Sequence, residues 1–222
     1  MIKIKLTLSL LTMLCLTVEL FGQQFTKPLL QIEKLESNNR DFSILKDDKG
    51  KSYIQVKGRP NAGVVWIKDI LFETGTIEFE VRGKDVLKES FVGLAFHGTD
   101  DTTYQALYFR PFNFRAKDPI RKKHAVQYIA LPDSDWPYLR EEFPDIYEAP
   151  MPTEIDPNDW FSVKIVVTKD SITTYVNSGQ IPVIMIKSLH KVSSGKIGFW
   201  TGNDSDGDFA NLKITPLEKK IK

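Results

Sequence analysis

Apolar residues recur at every second position through most of this chain. In SFVGLAFHG (90–98), Val92, Leu94 and Phe96 fall on one face, and Gly93, Ala95 and His97 on the other. In TYQALYFRPF (103–112), Leu107 and Phe109 share a face, opposed by Tyr104, Ala106, Tyr108 and Arg110. Strand side chains alternate with period two. These adjacent runs therefore predict an apolar core face and, behind it, a floor of small residues set with His, Tyr and Arg. Such a floor suits a ligand groove.

The same period continues on either side. DFSILKDDKGKSYIQVKG predicts a hairpin around residues 47–50. Then follow AGVVWIKDILF, GTIEFEVRG, HAVQYIAL, WFSVKIVVTKD, SITTYVNSGQ, IPVIMIK, GKIGFWTGN and DFANLKITPL, punctuated by Gly, Asn, Asp and Pro. Helical spacing is absent except briefly around 137–143, and no internal repeat occurs. Many short strands at this spacing predict an all-β, antiparallel two-sheet sandwich.

One segment departs from the pattern. Residues 131–153 hold five prolines together with Trp136, Tyr138, Phe143 and Tyr147. A long aromatic loop in a compact domain suits either stacking on a sugar ring, with Trp136 the candidate, or plugging the end of the sandwich.

The first residues change the picture of where the protein works. Lys3 and Lys5 precede an apolar run from Leu6 to Leu20, which is short for a membrane span and fits a secretory leader over residues 1–22. Cys15 is the only cysteine among 222 residues and lies inside that run, so residues 23–222 are expected to form one exported domain without disulfides. Removing Lys3, Lys5 and Glu19 from 30 basic and 29 acidic residues leaves 28 of each. That neutrality gives no support for nucleic acid as a partner, and no second apolar run suggests membrane insertion. The expected location is secreted or periplasmic.

The spaced motifs GTIEFEVRGKD, FVGLAFHG, YFRPFNF, HAVQYI, DPNDWFSVKIVV, YVN and GKIGFWTGN…GDFANLKI cover nearly all of residues 23–222. Together they resemble the concanavalin-A-like (laminin-G-like) jelly rolls of Bacteroidetes-type secreted proteins, often grouped with the 3-keto-disaccharide hydrolase-like domains. The resemblance implies a two-sheet jelly roll whose concave sheet binds an oligosaccharide or polysaccharide. Hydrolases, lyases and non-catalytic sugar binders share that scaffold, so it does not by itself select a reaction.

Candidate chemistry narrows the choice. Glu154-Ile-Asp156-Pro-Asn-Asp159 looks like the carboxylate strand of laminarinase-type glycosidases, but Pro157 and Asn158 predict a turn there. Glu78 and Glu80 are the remaining in-strand carboxyl pair, on what reads as a solvated face with Arg82. The His/Tyr/Arg floor instead suits elimination at a uronic acid: a base takes the C5 proton while arginine holds the sugar carboxylate. Jelly-roll lyases of the alginate-lyase type look similar in using Gln, His, Arg and Tyr, although their Y-x-K-x-G-x-Y-x-Q strand is missing here.

The expected catalytic groups are therefore His97 as base, Tyr108 as proton donor or acceptor, and His124. Arg110, Tyr104, Gln127, Tyr128 and Trp136 are expected to bind substrate. Val126 leaves open whether Tyr128 or Gln127 faces the groove. Each of these residues also suits a structural role, tying strands and loops by hydrogen bonds. The preferred reading is a lyase or dehydratase acting on uronate-containing oligosaccharides in polysaccharide degradation. A non-catalytic carbohydrate-binding protein and a glycoside hydrolase are the alternatives. No metal ligand set or cofactor motif is found, although the acidic loop 203–208 leaves a structural calcium open.

Overall fold

Two hairpin-rich runs of alternating residues close face to face in the computed structural model, which describes residues 31–152, 154–190 and 193–217. The expected leader and Cys15 lie outside the described residues. In chain order the strands are β1 (Leu35–Asn38), β2 (Asp41–Lys46), β3 (Ser52–Lys57), β4 (Gly63–Phe72), β5 (Gly75–Arg82), β6 (Val92–Gly98) and β7 (Gln105–Phe109). They continue with β8 (Val126–Ala130), β9 (Glu148–Ala149), β10 (Phe161–Val167), β11 (Ile172–Val176), β12 (Ile184–Ile186), β13 (Gly195–Thr201) and β14 (Gly207–Pro216). Two short helices, α1 (Pro119–Lys123) and α2 (Trp136–Glu142), interrupt them.

One sheet runs β1-β4-β13-β6-β7-β8-β9 and the other β12-β11-β10-β5-β14-β3-β2, all paired antiparallel. The expected 47–50 hairpin joins β2 to β3. The expected helical turn is α2, capped by Asp135, whose Oδ1 accepts from Trp136 N at 2.7 Å. This is the antiparallel two-sheet sandwich that the alternation predicts, with the jelly-roll architecture that the resemblance implies.

Between the sheets lie Val92, Leu94, Phe96, Leu107, Phe109 and Phe199 from one side, and Ile77, Phe79, Val81, Phe161 and Phe209 from the other, all buried. Phe109 meets Phe161 edge-on at 5.1 Å, and Phe199 meets Phe209 at 5.0 Å, so these aromatic rings couple the sheets directly. Each such side chain contributes about 1.5–3 kcal/mol through burial. Where the chain crosses from β1 to β2, buried Arg40 donates to Thr201 Oγ1 at 2.5 Å and to the carbonyls of Thr201, Gly202 and Asn61 at 2.7 Å. That arginine ties the crossover to the end of β13.

The alternation holds through Ala95 and then breaks. Ala95 pairs with Gly198 but Gly98 pairs with Lys196, so Phe96 and His97 together oppose one residue, Ile197. This is a β-bulge, and His97 takes a φ of 54° to make it. The extra residue removes His97 from the outer floor. Its ring stacks on core residue Phe72 at 5.8 Å. Nε2 lies 2.7 Å from the Glu73 carbonyl and Nδ1 lies 2.9 Å from Gln105 Nε2. Gln105 Oε1 in turn accepts from Tyr128 Oη at 2.7 Å and Ser188 Oγ at 3.0 Å. Both ring nitrogens are satisfied, and burial lowers the His97 pKa.

Tyr128 belongs to the same interior network. It pairs with Leu107, a core-facing position, so Gln127 takes the outer face. The geometry thus corrects two expectations: His97 and Tyr128 are interior residues on the far side of the sheet from Tyr108. Glu78 and Glu80 lie on the outer face of the opposite sheet and pair with Lys213 (3.5 Å) and Lys51 (2.5 Å). Residues 154–159 form turns, in which Asp156 Oδ1 accepts from Asn158 N at 2.9 Å.

Candidate functional site

β13, β6 and β7 run side by side, and Trp200, Gly93 and Tyr108 stand level across them on the outer face. The row continues to Gln127 on β8 and Glu148 on β9. With no side chain at Gly93, the rings of Tyr108 and Trp200 meet above the backbone, 4.5 Å apart. Tyr104 lies buried on this side too, its Oη accepting from Trp200 Nε1 at 3.1 Å, and it lines neither of the clefts described below.

Two adjoining clefts open over this row. One, of about 230 Å³, is lined by Tyr108, Trp200, Asp135 and Trp136 among others. The second, of about 480 Å³, is lined by Arg110, Arg121, His124, Arg140 and Lys88. They share Phe91, Trp136 and Asn203 along their common rim. The loop expected to bear the stacking aromatic supplies Trp136, which is 42 % exposed and carries the Arg140 guanidinium 5.0 Å over its ring.

Arg110 directly follows β7 and is 5 % exposed. Its Nη2 donates to Tyr108 Oη at 2.9 Å, its Nη1 to the His124 carbonyl at 3.0 Å, and both reach Gln127 Oε1 at 3.3–3.4 Å. Every acceptor is neutral, and among the described residues no carboxylate forms an ion pair with it. Burial lowers the Arg110 pKa from the ordinary arginine range, but guanidinium remains a cation at any working pH. Arg40 is also buried against neutral acceptors, yet it lines neither cleft. Arg110 alone of the two offers its charge to an open space.

His124 reaches this space by a route the alternation did not foresee. Asp118 caps α1 with Pro119 in its first turn, and His124 closes the helix at its C-terminal end. Its Nε2 lies 3.0 Å from Glu148 Oε1. Glu148, almost fully buried, also receives Arg140 Nη2 at 2.8 Å. Burial holds the His124 pKa below its ordinary value against the pull of Glu148, with Arg140 and Arg110 acting in the same direction as burial. A neutral His124 whose Nε2–H donates to a carboxylate leaves its Nδ1 lone pair free to accept. Among the described residues Nδ1 has no hydrogen-bond partner. Tyr108, 2 % exposed, is pushed up to about 12 by burial and so keeps its proton.

The expected residues Tyr108, Arg110, His124 and Trp136 therefore line the clefts, Gln127 lies buried beneath Arg110 and lines neither, and Tyr104, His97 and Tyr128 do not join them. Glu148 and Arg140 were missed, because their role depends on the 131–153 loop folding back beside β8. The acidic loop 203–208 is engaged by protein cations: Asp206 by Lys84 at 2.7 Å and Lys57 at 3.7 Å, and Asp208 by Arg82 at 2.7 Å. Among the described residues no group of three His, Cys, Asp or Glu is arranged to hold a metal ion. No described helix is long and apolar enough to cross a membrane.

No protein-family model matches the chain, and no curated protein matches it. Solved structures do. A carbohydrate-binding module, CBM66 from Bacillus subtilis, is 16 % identical, covers 82 % of this chain and 96 % of its own, and has a TM-score of 0.58. A second Bacillus subtilis protein, described as galectin-like in fold, is 14 % identical over 83 % and 90 % of the two chains, with a TM-score of 0.53. The kappa-carrageenase of Pseudoalteromonas carrageenovora, solved with an oligotetrasaccharide of kappa-carrageenan, is 11 % identical over 87 % and 92 %, with a TM-score of 0.52. At these identities the likeness is one of fold: the chain is a galectin-like, concanavalin-A-like jelly roll.

Proposed function

We propose that this is an exported carbohydrate-active protein whose outer-face groove acts on acidic sugars, by elimination at a uronate unit. The observation that carries the reading is Arg110, a buried cation held only by neutral acceptors at the wall of a cleft, beside an imidazole with a free lone pair. Arg110 would receive the sugar carboxylate through its planar fork. His124 Nδ1 would take the C5 proton, with Glu148 holding the ring and stabilising the imidazolium that forms. The C5–H electron pair becomes the C4–C5 double bond as the C4–O bond breaks, and Tyr108 passes its proton to the departing oxygen. A leaving sugar makes the reaction a lyase step, and a leaving hydroxyl makes it a dehydration.

Hydrolysis by two carboxyl groups has less support. Asp135 is the sole acid lining the two clefts, and its side chain caps α2. A binding module is the second reading, favoured by the exposed Trp136 and by the likeness to CBM66.

Incubation with saturated and unsaturated uronate oligosaccharides, followed by mass spectrometry, separates these readings. Loss of one water, or cleavage that leaves a new unsaturated end, supports elimination. Cleavage with gain of water overturns it in favour of a hydrolase. Unchanged oligosaccharides that nevertheless bind, with affinity lost in Trp136→Ala, leave the binding module.

A further inference from the structure

The larger cleft is lined by Lys88, Arg110, Arg121, Arg140 and His124 and by no aspartate or glutamate. Arg140 has its carboxylate in Glu148. Outside that cleft, Arg115 is matched by Asp156 at 3.1 Å and Lys123 by Asp145 at 2.8 Å. Among the described residues no carboxylate forms an ion pair with Arg121 or Lys88.

Arg121 donates Nε to Asn113 Oδ1 at 3.2 Å and Nη2 to the Phe112 carbonyl at 2.8 Å. Those two bonds fix the guanidinium plane and use two of its five N–H groups, leaving three donors for a ligand. Asn113, itself buried, donates Nδ2 to the His124 carbonyl at 3.2 Å, the same oxygen that Arg110 reaches. Arg121 is thus built into the same frame as Arg110, on the other side of Asn113. It also lines a third cleft, of about 450 Å³, which shares Phe112 with the larger one and is walled by Arg115 and Lys117 together with Asp85 and the α1 cap Asp118.

We infer that the groove takes an oligosaccharide carrying two anionic groups on neighbouring sugars, one at Arg110 and the second at Arg121 and Lys88. The inference rests on the acidic-sugar reading and narrows it to polyanionic chains. The second anion is a carboxylate in a run of uronates or a sulfate ester on the adjoining unit. Both present the oxygens that accept from a guanidinium fork.

Titration calorimetry of the full chain tests this with four oligosaccharides of equal length. One is neutral, one carries a single uronate, one carries two uronates, and one carries a uronate and a sulfate ester. The doubly charged ligand is expected to bind about tenfold more tightly than the singly charged one, as one charge-assisted contact predicts. Arg121→Met, which keeps the apolar stem, and Lys88→Ala, at an exposed position, should remove that difference and leave the singly charged ligand unaffected. Whichever doubly charged ligand shows the gain identifies the second anion.

Equal affinity for singly and doubly charged ligands overturns the inference while the acidic-sugar reading stands. Equal loss in the variants for both ligands does the same. Binding of the neutral oligosaccharide alone overturns both.

Discussion

Tyr108 and Trp200 touch, ring centroid to ring centroid at 4.5 Å, across a strand that has no side chain between them. The strand residue is Gly93. A Cβ there would stand 2.2 Å from the Leu107 carbonyl oxygen and 2.5 Å from Tyr108 Cα, so backbone rather than a movable side chain blocks it. Gly93→Ala is expected to cost about 1–3 kcal/mol, the range for overpacking a filled site. Urea denaturation measures it, and an unchanged midpoint would mean that the strands can separate freely.

Tyr108→Phe removes only the oxygen that accepts from Arg110 Nη2. If that hydroxyl delivers the proton, turnover should fall about 10²–10⁴-fold, well beyond any loss of affinity, with a lower melting temperature because buried Arg110 Nη2 keeps only Gln127 Oε1. Steady-state kinetics beside a binding titration reads both. Wild-type turnover in the variant would take Tyr108 out of the reaction.

In the proposed elimination the base must be unprotonated to act, so the His124 pKa would set the acid limb of the rate profile. Because burial lowers that pKa, kcat/KM should stay level as pH falls through the ordinary histidine value of about 6.5 and decline only below it. Glu148→Gln removes the nearby negative charge that supports the protonated ring. The limb should then move to lower pH as the rate drops. A limb that stays in place would show that Glu148 does not act through His124.

His97 gives a separate signature in stability. Its folded pKa is lowered, so below about pH 6.5 the unfolded chain binds a proton that the folded chain refuses. The stabilisation from a neutral His97 is complete above that pH and is lost as pH falls from 6.5 towards the folded pKa. Denaturation midpoints at pH 7.5 and 5.5 should therefore differ less in His97→Gln than in the parent.

Much of this could be read from residue alternation. Val92, Leu94, Leu107 and Phe109 fill the core, and Tyr108 and Arg110 stand behind them, because unbroken strands obey period two. His97 escaped because a bulge needs one residue more on one strand than on its neighbour, a relation that the run SFVGLAFHG does not carry alone. Tyr128 and Gln127 were ambiguous because α1 ends at Lys123 and the strand starts only at Val126, which fixes the phase. Glu148 was invisible as a partner of His124: 24 residues separate them, and a five-proline loop with its own helix decides that they meet.

The uncompensated charge of Arg110 also makes the folded state responsive to what surrounds it. If an anion binds there in the native chain and not in the unfolded one, mass action raises stability by about 2.7 kcal/mol at a hundredfold excess over Kd. For a chain of this length that is a melting shift of roughly 5–10 °C. On the proposed reading, a melting curve run without a label against a library of glycans would rank them, the acidic ones holding the chain folded longest.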